Sequence, residues 1–105
     1  MDLESDEYLS IENESTGIYR EKASKFLAFA FPVTDEEAVK INLDQLRKRF
    51  HDANHHCYAY RVGSTNQQYR VNDDGEPSGS AGKPIYGQIL SAGLSDILIV
   101  VVRYF

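Results

Sequence analysis

A mixture of strands and helices within one domain is what this sequence predicts, and three observations carry the prediction. The segment Thr34 to Phe50 has the start signal and the apolar spacing of a helix. Other segments alternate or run apolar and are rich in β-branched and aromatic residues, ending in Asp96-Ile97-Leu98-Ile99-Val100-Val101-Val102. The 105 residues suffice for one hydrophobic core and are too few for two ordinary ones.

In chain order, Tyr8 to Ile11 and Ile18 to Pro32 read as two strands around a polar turn at Asn13 to Gly17. In the second, Phe26, Ala28 and Ala30 alternate against Leu27, Phe29 and Phe31. Both faces are apolar near Phe31, which places that strand centrally in a sheet or under cover on both sides. Thr34-Asp35-Glu36-Glu37 then reads as a capping box, with Thr34 as the cap and the acids favouring the positive end of the helix dipole. Val39, Leu43, Leu46 and Phe50 follow on one helical face. A strand from His55 to Val62 ends at the turn Gly63-Ser64-Thr65-Asn66, and Gln67 to Val71 is a short strand. Pro84 to Ala92 is the second helix, with Gly93 placed to end it.

Ser95 to Phe105 is apolar on both faces, the pattern of a strand buried inside a sheet. It stops without a turn or polar tail, so the expectation is a truncated product or a last strand covered by a partner. Pairing or exchange of that strand between two copies would make a homodimer.

The net charge of −5 is unevenly placed. Residues 1 to 14 hold Asp2, Glu4, Asp6, Glu7, Glu12 and Glu14 and no base, whereas the rest holds ten acids against eleven bases. Residues 1–7 are expected as a disordered acidic arm, which would repel phosphates. Arg47, Lys48 and Arg49 are adjacent, so a helix spreads them around its circumference as a solvated face. There is no apolar run long enough for a membrane span and no basic, then apolar, leader. The expected address is the cytoplasm, without a membrane partner. The single cysteine, Cys57, cannot close an internal disulfide and agrees with that address.

Chemistry concentrates in Asn72-Asp73-Asp74-Gly75-Glu76-Pro77-Ser78-Gly79-Ser80-Ala81-Gly82-Lys83-Pro84. Gly, Pro, Asp, Asn and Ser at this density make a loop. Ser78 or Ser80 can cap the helix that follows and leave amides near Gly82 and Lys83 free for an anion, with Gly79 shaping the turn and Lys83 adding charge. Turn geometry and capping alone is the competing reading. Lys83 precedes Pro84, so no Walker pattern is present. Asp73, Asp74 and Glu76 are acid, base or cation-ligand candidates, although turn formation is the commoner role for such residues. In His55-His56-Cys57, strand alternation puts His55 and Cys57 on one face and His56 on the other, too few ligands for a metal site. Cys57 is better read as a small buried hydrophobe than as a nucleophile. Tyr58, Tyr60, Tyr69, Tyr86 and Tyr104 read as packed rings, because the near-neutral core lacks the basic groove that base stacking requires.

The loop, together with His55-His56-Cys57-Tyr58-Ala59-Tyr60-Arg61 upstream and Val100-Val101-Val102-Arg103-Tyr104-Phe105 downstream, resembles the Impact family, which includes the YigZ-like bacterial proteins. The resemblance starts near Tyr8 and takes in Lys22-Ala23-Ser24-Lys25-Phe26. It implies an α+β domain over residues 8–105, a mixed or antiparallel sheet with helices on one face, like the second domain of ribosomal protein S5 but incomplete. It also brings Arg103 into the signature set beside Ser78, Gly79, Ser80, Gly82 and Lys83. Eukaryotic members are linked to translational regulation under amino-acid starvation, through competition for the activator of an initiation-factor kinase. The family pattern continues past Phe105 with glycines and another helix. The resemblance implies a partner-binding domain before this one in eukaryotic members and a ferredoxin-like domain after it in bacterial ones, and this sequence is expected to carry neither. The expected function is a non-enzymatic binding module that touches a translation-associated protein, or ribosomal RNA weakly, without a cofactor. The alternative is a hydrolase or phosphoryl-transfer enzyme using Asp73, Asp74, Glu76 and Lys83, with His56, around a metal or phosphate.

Overall fold

The computed structural model describes residues 14–21, 23–63, 67–76 and 78–105. Five strands and two helices follow one another as β1 (Ser15–Glu21), β2 (Ser24–Pro32), α1 (Glu36–Arg49), β3 (His55–Val62), β4 (Gln68–Asn72), α2 (Gly82–Ser91) and β5 (Ile97–Tyr104). The strands form one sheet in the order β1-β2-β5-β3-β4, and every neighbouring pair is antiparallel.

Of three expectations about the strands, two are corrected and one is met. Ser15–Glu21 is itself a strand, and the chain reverses between Glu21 and Ser24, which face one another, so Ile18 to Pro32 is a hairpin. Five consecutive polar or glycine residues at positions 13–17 gave a turn signal that pairing against β2 overrides. The expectation for the strand near Phe31 is met: β2 lies inside the sheet between β1 and β5, with Phe31 buried on one face and Ala30 partly buried on the other. The second correction concerns β5, which is bonded along both edges by β2 and β3. Edge-to-edge pairing through this strand is therefore closed; among the described residues the free edges belong to β1 and β4. The expected acidic arm and the Tyr8 to Ile11 strand lie outside the described residues.

The helices lie on opposite faces of the sheet, which corrects the expectation of one helical face. Val39, Leu43 and Leu46 of α1 pack on Phe29, Phe31, Tyr58, Tyr60, Val62, Leu98, Val100 and Val102. Ile89 of α2, with Ile85 and Tyr86, packs on Ala59, Leu94 and Ile97. Strand alternation sorts these sets, since Tyr58 and Tyr60 point one way and Ala59 the other. The N-terminus of α1 is capped by Asp35 in place of Thr34, its carboxylate accepting from Ala38 N at 2.8 Å. At the other end of the chain's second helix, Gly93 adopts φ 66, Gly93 N donates to Leu90 O, and Leu94 N donates to Ile89 O. That is a Schellman stop, and it delivers the chain into β5.

Candidate functional site

The segment between β4 and α2 is a folded loop. Glu76 N donates to Asp73 O at 3.0 Å and closes a four-residue turn. Its central residues, Asp74 and Gly75, have φ of 46° and 87°, the left-handed pair for which Asp-Gly is suited. Asp74 N also donates to Asn72 Oδ1 at 2.7 Å. Further on, α2 starts against β4 so closely that a Cβ on Gly82 would stand 2.8 Å from Asn72 N and 3.0 Å from Val71 Cβ. Only glycine permits that approach.

Asp73 organises this arrangement. Its Oδ1 accepts from Ala81 N at 3.0 Å and Gly82 N at 2.7 Å, while Oδ2 accepts from Gly79 N at 2.9 Å. Hydrogen bonds from Gly82, Gly79 and Ala81 hold its carboxyl below the usual carboxylate range, with help from the Lys83 charge. The expectation that Ser78 or Ser80 caps α2 is therefore corrected. Ala81 occupies the cap position with no side-chain cap bond, and the carboxylate of Asp73, at the start of the loop, does the work. The Gly82 amide, expected free, is taken as well: the helix N-terminus attracts an anion, and that anion is Asp73. Ser78, Ser80 and Lys83 remain exposed around it.

The other loop acids are held from the sheet. Asp74 Oδ2 accepts from His56 N at 2.6 Å and stands 3.7 Å from His56 Nδ1, so His56 does reach the loop. His56 Nε2 meets Phe50 O at 2.9 Å, and His55 Nδ1 meets Asp74 O at 2.7 Å. Cys57 donates to Asp73 O and to Glu76 Oε2, each at 3.2 Å. Burial, aided by that bond and the surrounding carboxylates, pushes the thiol up to about 12. Cys57 is 1% exposed and protonated at neutral pH, the behaviour of a small buried residue. Glu76 is also ion-paired with Arg103, whose guanidinium lies over Phe26 and Phe105.

These residues border a cleft of about 440 Å3 between the loop, α2 and the sheet. Glu76, Arg103, Cys57 and Ser80 supply its polar groups, and Phe26, Ile85 and Val101 its apolar wall. The apolar wall escaped sequence reasoning, although the spacing of Val101 and Arg103 on one strand was a signal that they share a face. Among the described residues, no three of His, Cys, Asp and Glu gather to hold a metal ion. Tyr58 and Tyr60 are buried rings, whereas Tyr69 is exposed and stacks on Tyr86 at 4.7 Å.

The sequence profile of the Impact N-terminal domain matches residues 22–105. IMPACT family member YigZ of Escherichia coli (strain K12) is 40% identical over 86 residues, 80% of this chain and 42% of that protein. A crystal structure of a hypothetical protein is similar at TM-score 0.79 and 34% identity, over 89% of this chain and 46% of that one. The two-domain translational regulator Yih1 shares the fold at TM-score 0.69 and 24% identity, over 100% of this chain and 43% of that one. The chain spans less than half the length of these relatives. With the profile matched from residue 22 to residue 105 and its signature loop folded against the sheet, this chain belongs to the Impact family.

Proposed function

We propose that the chain is a non-enzymatic binding module of the cytoplasmic translation apparatus, acting through a partner protein or weak RNA contacts. Its contact surface is the signature loop, with Ser78, Lys83 and the adjoining cleft. One observation carries this reading: the three loop carboxylates are already committed to donors of the protein itself. Asp73 holds the α2 amides, Asp74 holds His56 N, and Glu76 holds Arg103 and Cys57. A loop so tied is preformed, which lowers the ordering cost of binding a partner. Family membership and the fold shared with Yih1 support the link to translation, and the likeness to domain 2 of ribosomal protein S5 is part of the same reading.

The hydrolase alternative draws no support from this geometry. A general acid or base needs a free titrating position, and a nucleophile needs activation. Cys57 lies on the unreactive side, and the acids have partners. The test is cosedimentation of the purified chain with ribosomal subunits, or capture of a purified translation factor, at physiological salt. Ser78→Trp should weaken the association while leaving the melting temperature unchanged, and Lys83→Glu should weaken it at a small cost in stability through Asp73. Metal-dependent phosphate release that disappears in Asp74→Asn, with no association detected, would overturn the reading.

A further inference from the structure

A second surface lies away from the signature loop, where α1 crosses the α1-facing side of β3 and β4. Here a groove of about 240 Å3 is bordered by Glu36, Lys40 and Arg47 from α1 and by Arg70 from β4. Tyr58 and Tyr60 form its floor, together with Val39 and Leu43. Lys40, Arg47 and Arg70 are exposed, and neither ion pair found among the described residues uses any of them. Glu36, the one acid of the groove, already accepts a hydrogen bond from Tyr60 Oη. Three cations thus face a single carboxylate around this groove, in a chain whose net charge is −5.

The groove adjoins a free sheet edge. Among the described residues β4 is the terminal strand, paired with β3 alone, so alternate backbone groups of residues 68–70 face outward unpaired by the sheet, whereas the start of α2 closes on Asn72. A strand laid beside β4 would stand about 4.8 Å away and turn every second side chain toward the α1 side of the sheet. Those side chains would meet Arg70 first and the Lys40 and Arg47 heads above it.

We propose that this edge and groove take an extended, acidic segment of a partner protein, added to the sheet as a sixth strand beside β4. Backbone bonds to the edge would supply affinity, and carboxylates at alternate positions would supply specificity. Single-stranded RNA fits less well. Base stacking needs open ring faces, and Tyr58 and Tyr60 are only 7% and 4% exposed. The surface stands apart from the signature loop, so either one can fail while the other holds.

The test is titration of the purified chain, by fluorescence anisotropy, with a labelled peptide in which Glu alternates with Val and Thr. Three comparisons accompany it: the same peptide with Lys for Glu, the Glu peptide with alternate backbone amides methylated, and a uridine-rich RNA oligonucleotide. The Glu peptide should bind saturably. Lys40→Glu, Arg47→Glu and Arg70→Glu combined should weaken it by about tenfold or more and favour the Lys peptide, and backbone methylation should cost about as much. Should the triple variant fail to fold, amide shifts of the wild type decide, with changes at positions 40, 47 and 68–72 supporting the proposal and changes elsewhere overturning it. No saturable binding of the Glu peptide, equal binding by the folded triple variant, indifference to methylation, or tighter RNA binding lost in the triple variant would each overturn it.

Discussion

Replacing Gly82 with alanine places a methyl group where the first turn of α2 crosses β4. The added carbon would stand 2.8 Å from Asn72 N, 3.0 Å from Val71 Cβ and 3.2 Å from the Asn72 carbonyl carbon. Comfortable carbon contacts begin near about 3.5 Å, so the helix start must withdraw by roughly half an ångström or more. Two of the three neighbours are backbone atoms of a strand paired with β3, which have little room to give. Overpacking of this kind costs about 1–3 kcal/mol, and the better helix propensity of alanine offsets at most about 1 kcal/mol of it. The net loss is about 1–2 kcal/mol, which lowers the melting temperature of a domain this size by roughly 5–15 °C. Thermal unfolding followed by far-ultraviolet circular dichroism reads the loss. Hydrogen exchange reads the cause, because withdrawal of the helix loosens the amides of positions 81 and 82 from Asp73. A variant that melts at or above the wild-type temperature, with those amides still protected, would refute the claim that close approach fixes glycine here.

Asp73 carries an acid-dependent part of the stability. Its carboxyl lies below the usual range in the folded chain, so its contribution is complete above the unfolded value of about 3.9 and fades as pH falls through the lower native value. Asp73→Asn should lower the urea midpoint at neutral pH and flatten its fall toward about pH 2, and an unchanged acid profile would contradict the capping role. Cys57 has the opposite sign. Its thiol is raised from 9.0 to about 12, so stability should decline as pH rises between those values and the unfolded thiol ionises first. At pH near about 8, an aromatic disulfide reagent should leave the native thiol unmodified and react after urea is added; fast native labelling would contradict its burial. Ile89, with 0% exposure, anchors α2 to the sheet, so Ile89→Ala should cost about 2–5 kcal/mol in urea unfolding. Leu90→Ala, at a half-exposed neighbour, should cost within about 0.5 kcal/mol; equal effects would refute the assigned face of α2.

Local signals predicted well where local physics decides. The apolar spacing of Val39, Leu43 and Leu46 gave the face of α1, and the two-sided apolar run of Ile97 to Val102 marked a strand interior to the sheet. Gly93 announced the end of α2 because a left-handed residue is needed there. What escaped depends on partners distant in sequence. Nothing local in Ser15 to Glu21 shows that β2 will pair with it, and nothing in α1 or α2 alone tells which side of the sheet each covers. The cap of α2 escaped for the same reason. Capping rules look at the residues adjoining a helix, where Ser78 and Ser80 stood ready, while the operative carboxylate lies nine positions before Gly82. The loop's acids were legible as a group, yet their roles were set by His56, Cys57 and Arg103 arriving from other strands.

The central claim is that the acids of the signature loop are internal fasteners of a preformed binding surface. Carboxyl carbon shifts of Asp73, Asp74 and Glu76, followed by NMR through a pH titration with and without magnesium, test it most directly. The account predicts that Asp73 titrates below the ordinary aspartate range and that magnesium leaves all three shifts in place. Saturable movement of the three together on adding magnesium, with Asp73 titrating in the ordinary range, would contradict it.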